Sequence, residues 1–242
     1  MQRSDAARTT VEWMLTEDSC SRHGATTGQA GPVMISVDDL VVAADDVTLL
    51  PATTVRCDAG QALIVRGHNG AGKSTLLRVL AGMRAPTTGT ATIAGARISR
   101  RDPAFRRRVA SMIGLPPMAS DLTVQDHVRL VAATWFDDRE TAETLATETL
   151  GALGLDTLVR RFPHELSTGQ QQLVGLALVL ARPFDVLLLD EPEQRLDQER
   201  LEMVSAVLGR RRDAGASLVV ATHSDLLTEQ LADRVVDLGA HR

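Results

Sequence analysis

Apolar residues recur in short runs of β character from Val33 onward: Met34-Ile35-Ser36-Val37, Leu40-Val41-Val42 and Val47-Thr48-Leu49-Leu50, each parted from the next by Asp or Ala. Turn signals at strand spacing predict an antiparallel β-layer. The run Ala62-Leu63-Ile64-Val65 leads into a glycine-rich stretch and then into the helix-like Leu76-Leu77-Arg78-Val79-Leu80-Ala81, which Gly82 and Pro86 stop. Thr90-Ala91-Thr92-Ile93 and Val109 to Ile113 return to strand character. Beyond Pro116-Pro117 the period becomes helical: Val124, Val128, Val131 and Trp135 follow the N-cap candidate Thr123, and Ala142, Leu145, Ala146, Thr149 and Leu153 form a second stripe. The last third alternates a strand at Val186 to Leu189, a helical face of Leu201, Val204 and Leu208, a strand at Leu218 to Ala221 and a short strand near Val235-Val236. Near-continuous Val/Leu strands separated by helices imply a parallel sheet covered on both faces, an α/β fold with a helical insertion at about residues 116–182.

Residues 1–32 carry no sustained period apart from the apolar knot Val11, Trp13, Met14 and Leu15. They are expected to form a weakly ordered extension, with a single domain over 33–242.

The glycine-rich stretch is Gly67-His68-Asn69-Gly70-Ala71-Gly72-Lys73-Ser74-Thr75, of the form G-x-x-x-x-G-K-[ST], placed between a strand and a helix as such a loop requires. Glycines let consecutive backbone N–H groups face one concavity, and the helix adds the positive end of its dipole, so the loop suits a polyphosphate. Lys73 would reach the terminal phosphates and Ser74 would hold Mg²⁺. Lys73 is also the only lysine among the 26 basic residues, the rest being arginine. A compact ammonium is retained where a point charge rather than a planar fork is wanted.

Charge and composition narrow the alternatives. A formal net charge of −5 and an aromatic content of 2% exclude a body built to sheathe or stack nucleic acid, so no nucleic-acid partner is expected. The arginine-dense piece Arg97, Arg100, Arg101, Arg106, Arg107 and Arg108 reads as a solvated helix turn before a strand, or as an electrostatic patch. Cys20 and Cys57 are too few for a disulfide framework, which points to a reducing compartment. The longest apolar run, Leu173 to Ala181, falls far short of the about 20 residues needed to span a bilayer. The chain is expected in the cytoplasm, reaching a membrane only through a partner.

Val186-Leu187-Leu188-Leu189 ends in Asp190-Glu191-Pro192, placing two carboxylates at the C-terminal end of a buried parallel strand, where open α/β sheets bind ligands. Asp190 would complete a Mg²⁺ shell and Glu191 would polarise an attacking water. Leu166-Ser167-Thr168-Gly169-Gln170 precedes the helix predicted over Gln171 to Ala181, and reads either as an anion site or as a plain N-cap.

With these motifs the chain resembles the ATP-binding subunits of ABC transporters over Met34 to about Gly239. The resemblance rests on the Walker A loop Gly67 to Thr75, the signature Leu166 to Gln170, the Walker B strand with Asp190 and Glu191, the D-loop Asp197 and the switch histidine in Ala221-Thr222-His223-Ser224. It implies a P-loop NTPase core sheet with an antiparallel β-layer and an inserted helical subdomain. It also implies ATP and Mg²⁺ as ligands, a second ATP-binding subunit, homo- or heterodimeric, and a membrane-spanning transporter subunit. Ser167, Thr168, Gly169 and Gln170 would then close over ATP bound to the opposite chain, His223 would sense its γ-phosphate, and Asp197 would link the two sites. The short helical insertion and the lack of a regulatory domain after Gly239 suggest an exporter. A soluble ABC-type ATPase acting as scaffold or regulator is the alternative.

Two positions depart from the family pattern. Its adenine-stacking aromatic falls near Ala44, in a stretch without aromatic residues between Trp13 and Phe105. Its Q-loop glutamine falls at about Gly114 in Met112-Ile113-Gly114-Leu115-Pro116-Pro117. Weakened base selectivity and slow basal turnover are the expected consequences.

Overall fold

The fold was analysed in a computed structural model, which describes residues 31–239. The expectation for residues 1–30, including the Val11 to Leu15 knot, lies outside the described residues.

The first two apolar runs join into one strand, β1 (Val33–Ala44), instead of the two short strands expected. Ile35 and Val37 face inward at a spacing of two, then Leu40 and Val42 do the same one residue out of phase, and all four are buried. Only an extra residue can reconcile the two phases. The register of β1 on β2 (Val47–Asp58) accordingly shifts between Val37 and Leu40, with Asp39 at φ 45°, as in a β-bulge. Asp45 and Asp46, at φ 48° and 65°, form a two-residue hairpin loop of the kind whose twist suits antiparallel strands. β1 also pairs antiparallel with β4 (Thr88–Ile93), and β5 (Ala96–Arg97) closes a sheet of order β2-β1-β4-β5.

The second sheet has the order β6-β7-β8-β3-β9 and is parallel throughout, made of β3 (Ala62–Arg66), β6 (Val109–Ile113), β7 (Val186–Asp190), β8 (Ser217–Ala221) and β9 (Arg234–Asp237). Its central strands divide their side chains between two cores. Leu63, Val65, Val186, Leu188, Val219 and Ala221 point toward α1 (Lys73–Leu80) and the antiparallel layer. Ala62, Ile64, Leu187, Leu189, Leu218 and Val220 point toward the remaining helices. These are α3 (Val124–Trp135), α4 (Arg139–Ala152), α5 (Thr168–Leu180), α6 (Gln198–Asp213) and α7 (Asp225–Leu231). Both faces are therefore apolar, which is why the strands read as unbroken Val/Leu runs.

The arginine-dense piece forms α2 (Pro103–Arg108), capped by the Asp102 side chain, which accepts from the Ala104 N–H. Arg106 donates to the carbonyls of Arg100 and Arg101 at 2.9 and 3.1 Å, and Arg108 pairs with Asp185 at 3.1 Å. Part of this charge is thus tied into the turn. Helix α7 is an element that the apolar pattern left unassigned: it is seven residues long, capped by Ser224 and anchored by buried Leu227 and Leu231. No helix among the described residues is long and apolar enough to cross a membrane.

Cys57 lies fully buried in the core between the two sheets, where burial and the neighbouring Asp58 charge push its thiol up from 9.0 to about 12. Because the folded value is raised, the stabilisation from keeping this thiol neutral is complete below about pH 9 and is lost as pH climbs toward 12. In a Cys20→Ser variant, a thiol reagent such as Ellman's at pH 8 is expected to leave the native protein unlabelled and to titrate one thiol in denaturant. Rapid labelling of the native protein would contradict the burial.

Candidate functional site

The C-terminal ends of β3, β7 and β8 lie side by side, and the segments that leave them carry nearly all the chemistry predicted above. From β3 the chain turns through Gly67 to Gly72 into α1. Gly72 caps this helix at φ 101° and offers no side chain of its own, so the first-turn N–H groups keep no capping partner. A Cβ on Gly72 would sit 2.7 Å from Leu50 Cδ1 and 2.8 Å from the Leu49 carbonyl, so the β-layer packs too close for any other residue.

Lys73 is only 5% exposed, and its Nζ donates to the Gly67 carbonyl at 2.7 Å. It also lies 2.9 Å from His223 Nε2, at the exit of β8. An ammonium can only donate, so Nε2 accepts and the ring proton sits on Nδ1. His223 Nε2 is 3.7 Å from Glu191 Oε1, and with a neutral ring this contact is polar rather than ionic. Lysine, histidine and glutamate from three separate strand ends thus converge. His68, for which the sequence suggested only membership of the loop, is exposed and bends its Nδ1 to the Asn69 carbonyl at 2.8 Å. Asn69 and Gly70 are exposed beside it, Ala71 is buried, and Ser74 and Thr75 are half-buried on the first turn of α1.

Asp190 ends β7 with its Oδ1 buried and without a hydrogen-bond partner. Burial raises its pKa; a hydrogen bond from the Ser74 hydroxyl opposes this, the Glu191 charge adds to it, and Arg78 and Lys73 lower it. An acid oxygen left unsatisfied beside a serine hydroxyl fits a hard cation that takes oxygen ligands, so Ser74 and Asp190 suit Mg²⁺. Glu191 sits at φ 49°, a left-handed conformation that costs on the order of 1 kcal/mol or more in a residue with a side chain, and such strain gathers at functional sites. Its Oε2 takes a hydrogen bond from Gln194.

The signature segment occupies the start of α5. This helix begins at Thr168 rather than at Gln171 as predicted, because Ser167 caps it: Ser167 Oγ accepts from the Gln170 N–H at 3.3 Å, and the Gln170 side chain accepts from the Ser167 N–H at 2.9 Å. The segment is thus an N-cap, one that leaves Ser167 and Thr168 exposed. No hydrogen bond among the described residues runs from Ser167–Gln170 to the phosphate loop of the same chain. Instead Gly169 packs under the Arg195 carbonyl, and Gln172 donates to the carbonyls of Glu191 and Pro192 at 3.3 and 3.4 Å. Asp197 caps α6, accepting from the Arg200 N–H at 2.9 Å.

Glu193 lies outside the sequence motifs named above. Its Oε1 accepts from Thr222 Oγ1 at 2.6 Å and from the His223 N–H at 2.8 Å, bridging the loops after β7 and β8. An acid two residues beyond a strand-end Asp-Glu pair was the available signal. Ala44, at the proposed base-stacking position, is half-buried at the end of β1 opposite exposed Val47. Gly114 lies just past β6 at φ 78° in open space.

A G-x-x-x-x-G-K-S loop, a strand-end acid pair and a histidine after the neighbouring strand, on a parallel sheet backed by an antiparallel layer, are the arrangement of the ABC ATPase fold. The sequence model of the family described as ABC transporter matches residues 50–194. The chain belongs to that family. It is 35% identical over 202 residues to the methionine import ATP-binding protein MetN of Ralstonia nicotianae, covering 81% of this chain and 58% of that one. It is 33% identical over 199 residues to the macrolide export ATP-binding/permease protein MacB of Salmonella choleraesuis, covering 80% of this chain and 31% of that one. The chain thus spans little more than half of the first of these relatives and a third of the second. A solved structure titled as the ATP binding subunit of an ABC transporter superposes with TM-score 0.76 at 27% identity, over 85% of each chain.

A methyl at Gly169 would collide with the Arg195 carbonyl. Gly169→Ala is expected to lower stability by about 1–3 kcal/mol in chemical denaturation, as overpacking does. An unchanged midpoint would show that the Arg195 loop yields freely.

Proposed function

We propose that this chain binds and hydrolyses ATP with Mg²⁺ and, paired with a second ATP-binding subunit, powers transport through a separate membrane-spanning subunit at the cytoplasmic face of a membrane. The observation that carries this reading is the convergence of Lys73, His223 and Glu191 from three strand ends on one point, beside the Ser74 and Asp190 pair. Lys73, held by the Gly67 carbonyl, is the cation for the β- and γ-phosphates, and the uncapped N–H groups of α1 cradle them. Ser74 and Asp190 would hold Mg²⁺, which when bound neutralises phosphate charge. Glu191, free of any ion pair with a neutral His223, orients the attacking water and takes up its proton. His223 exchanges Lys73 for the γ-phosphate when nucleotide enters, which couples the loop after β8 to the nucleotide state.

The exposed Ser167 and Thr168 at the head of α5 offer hydroxyls that the chain's own phosphate loop does not use, while the Ser167 N–H is held by Gln170. This supports a partner subunit's ATP as their ligand, with Asp197 next to that interface. Export is the finer reading and rests on the short helical segment; the import and export relatives support either direction equally.

Glu191→Gln is expected to retain ATP binding and to lose steady phosphate release by about 100-fold or more, the typical contribution of a positioned acid–base group. Full turnover in this variant would remove Glu191 from the chemistry. With Ala44 in place of an aromatic, the missing stack forgoes about 1–3 kcal/mol. Competition binding should accordingly separate ATP from GTP by less than about tenfold, and a strong ATP preference would contradict the assignment of Ala44 to the base site.

A further inference from the structure

Glu193 stands outside the motifs that define the site, yet it makes the side-chain link between the two loops that carry Glu191 and His223. One oxygen, Oε1, accepts both the Thr222 hydroxyl at 2.6 Å and the His223 N–H at 2.8 Å. Charge-assisted hydrogen bonds of this length are the strong ones. Thr222 is fully buried and passes the constraint on: its Oγ1 accepts from the Ser224 N–H at 2.9 Å, and Ser224 caps α7 by accepting from the Leu227 N–H at 3.2 Å. A continuous chain therefore runs from the end of β7 through Glu193, Thr222 and Ser224 into α7, with the His223 backbone pinned in its middle.

The pinning matters because His223 has little else to hold it. Its side chain is half exposed, and the contacts of its ring are to Lys73 and Glu191, the groups it must release or share when phosphate arrives. Such a ring can hold its reach only if its backbone is fixed. At a reacting centre a displacement of about 1 Å costs on the order of 100-fold in rate.

We propose that Glu193 is a positioning residue for hydrolysis: by clamping the Thr222 hydroxyl and the His223 N–H to the loop after β7, it holds the His223 ring in register with Glu191. This rests on the reading above, in which His223 serves ATP hydrolysis. The contacts made by Glu193 Oε1 are to Thr222 and His223, so its effect on hydrolysis is exerted through His223. The device is local to the Asp190-Glu191-Pro192-Glu193 turn, so movement of that turn is transmitted directly to the switch histidine.

The test is a double-mutant cycle on the full chain with its partner subunits. It uses Glu193→Ala, Glu193→Gln, His223→Ala and the Glu193→Ala/His223→Ala pair, reading steady phosphate release, the affinity for a fluorescent ATP analogue and thermal unfolding. Glu193→Ala should lower kcat by about tenfold or more while moving nucleotide affinity by less than about threefold. Glu193→Gln, which keeps Oε1 as acceptor for both donors, should recover most of that loss. In the His223→Ala background, Glu193→Ala should cause no further loss. An equal loss of kcat with and without His223 would overturn the proposal while leaving the hydrolysis reading intact. Unchanged turnover in His223→Ala would instead overturn that reading. The ¹⁵N signals of the His223 ring give a readout independent of activity and should move in Glu193→Ala; unmoved signals overturn the clamp itself. If Glu193→Ala fails to fold, Thr222→Val takes its place in the cycle, with the same two outcomes deciding.

Discussion

Burial of both faces of three adjacent parallel strands is the constraint from which the rest of the structure follows. β3, β7 and β8 alternate their side chains between two apolar cores, leaving no solvent-facing side on which a polar residue could sit. Polar chemistry is displaced to where the strands end. Because the strands are parallel, their C-terminal ends share one edge of the sheet, and residues distant in sequence meet there: Lys73 and His223 are 150 positions apart, with Nζ and Nε2 at 2.9 Å. The antiparallel layer then covers one face, bringing Leu49 and Leu50 so close to Gly72 that no side chain fits there.

That edge is also electrically unbalanced. The unsatisfied Asp190 oxygen and the left-handed Glu191 each carry a cost that a folded protein ordinarily avoids. Under the proposed function, Mg²⁺ beside the polyphosphate would give the Asp190 oxygen a partner.

Much of this was legible in the chain. The unbroken runs of β7 and β8 announce two covered faces, and the phosphate loop, with its lone lysine, announces the site. What escaped was either short or non-local. The Met34 to Val42 region reads as two strands because its inward phase slips by one residue, and only pairing with β2 turns that slip into a bulge. Helix α5 starts three residues early because the cap and box formed by Ser167 and Gln170 extend it beyond its apolar stripe. Helix α7 is too brief for a period to register. Glu193 carries only the weak local signal of an acid just past the Asp-Glu pair, and its partner Thr222 lies 29 positions away.

The solitary lysine has a chemical corollary. Reactive acyl donors modify side-chain amines and erase their charge. In most proteins that damage is spread over many surface lysines and is mostly silent. Here the side-chain amine of the phosphate loop is the whole supply, tucked 95% out of reach by the fold. Acylation of this chain at a lysine is accordingly a single-hit event, hindered by the burial of Lys73 and, under the proposed function, fatal to the phosphate site.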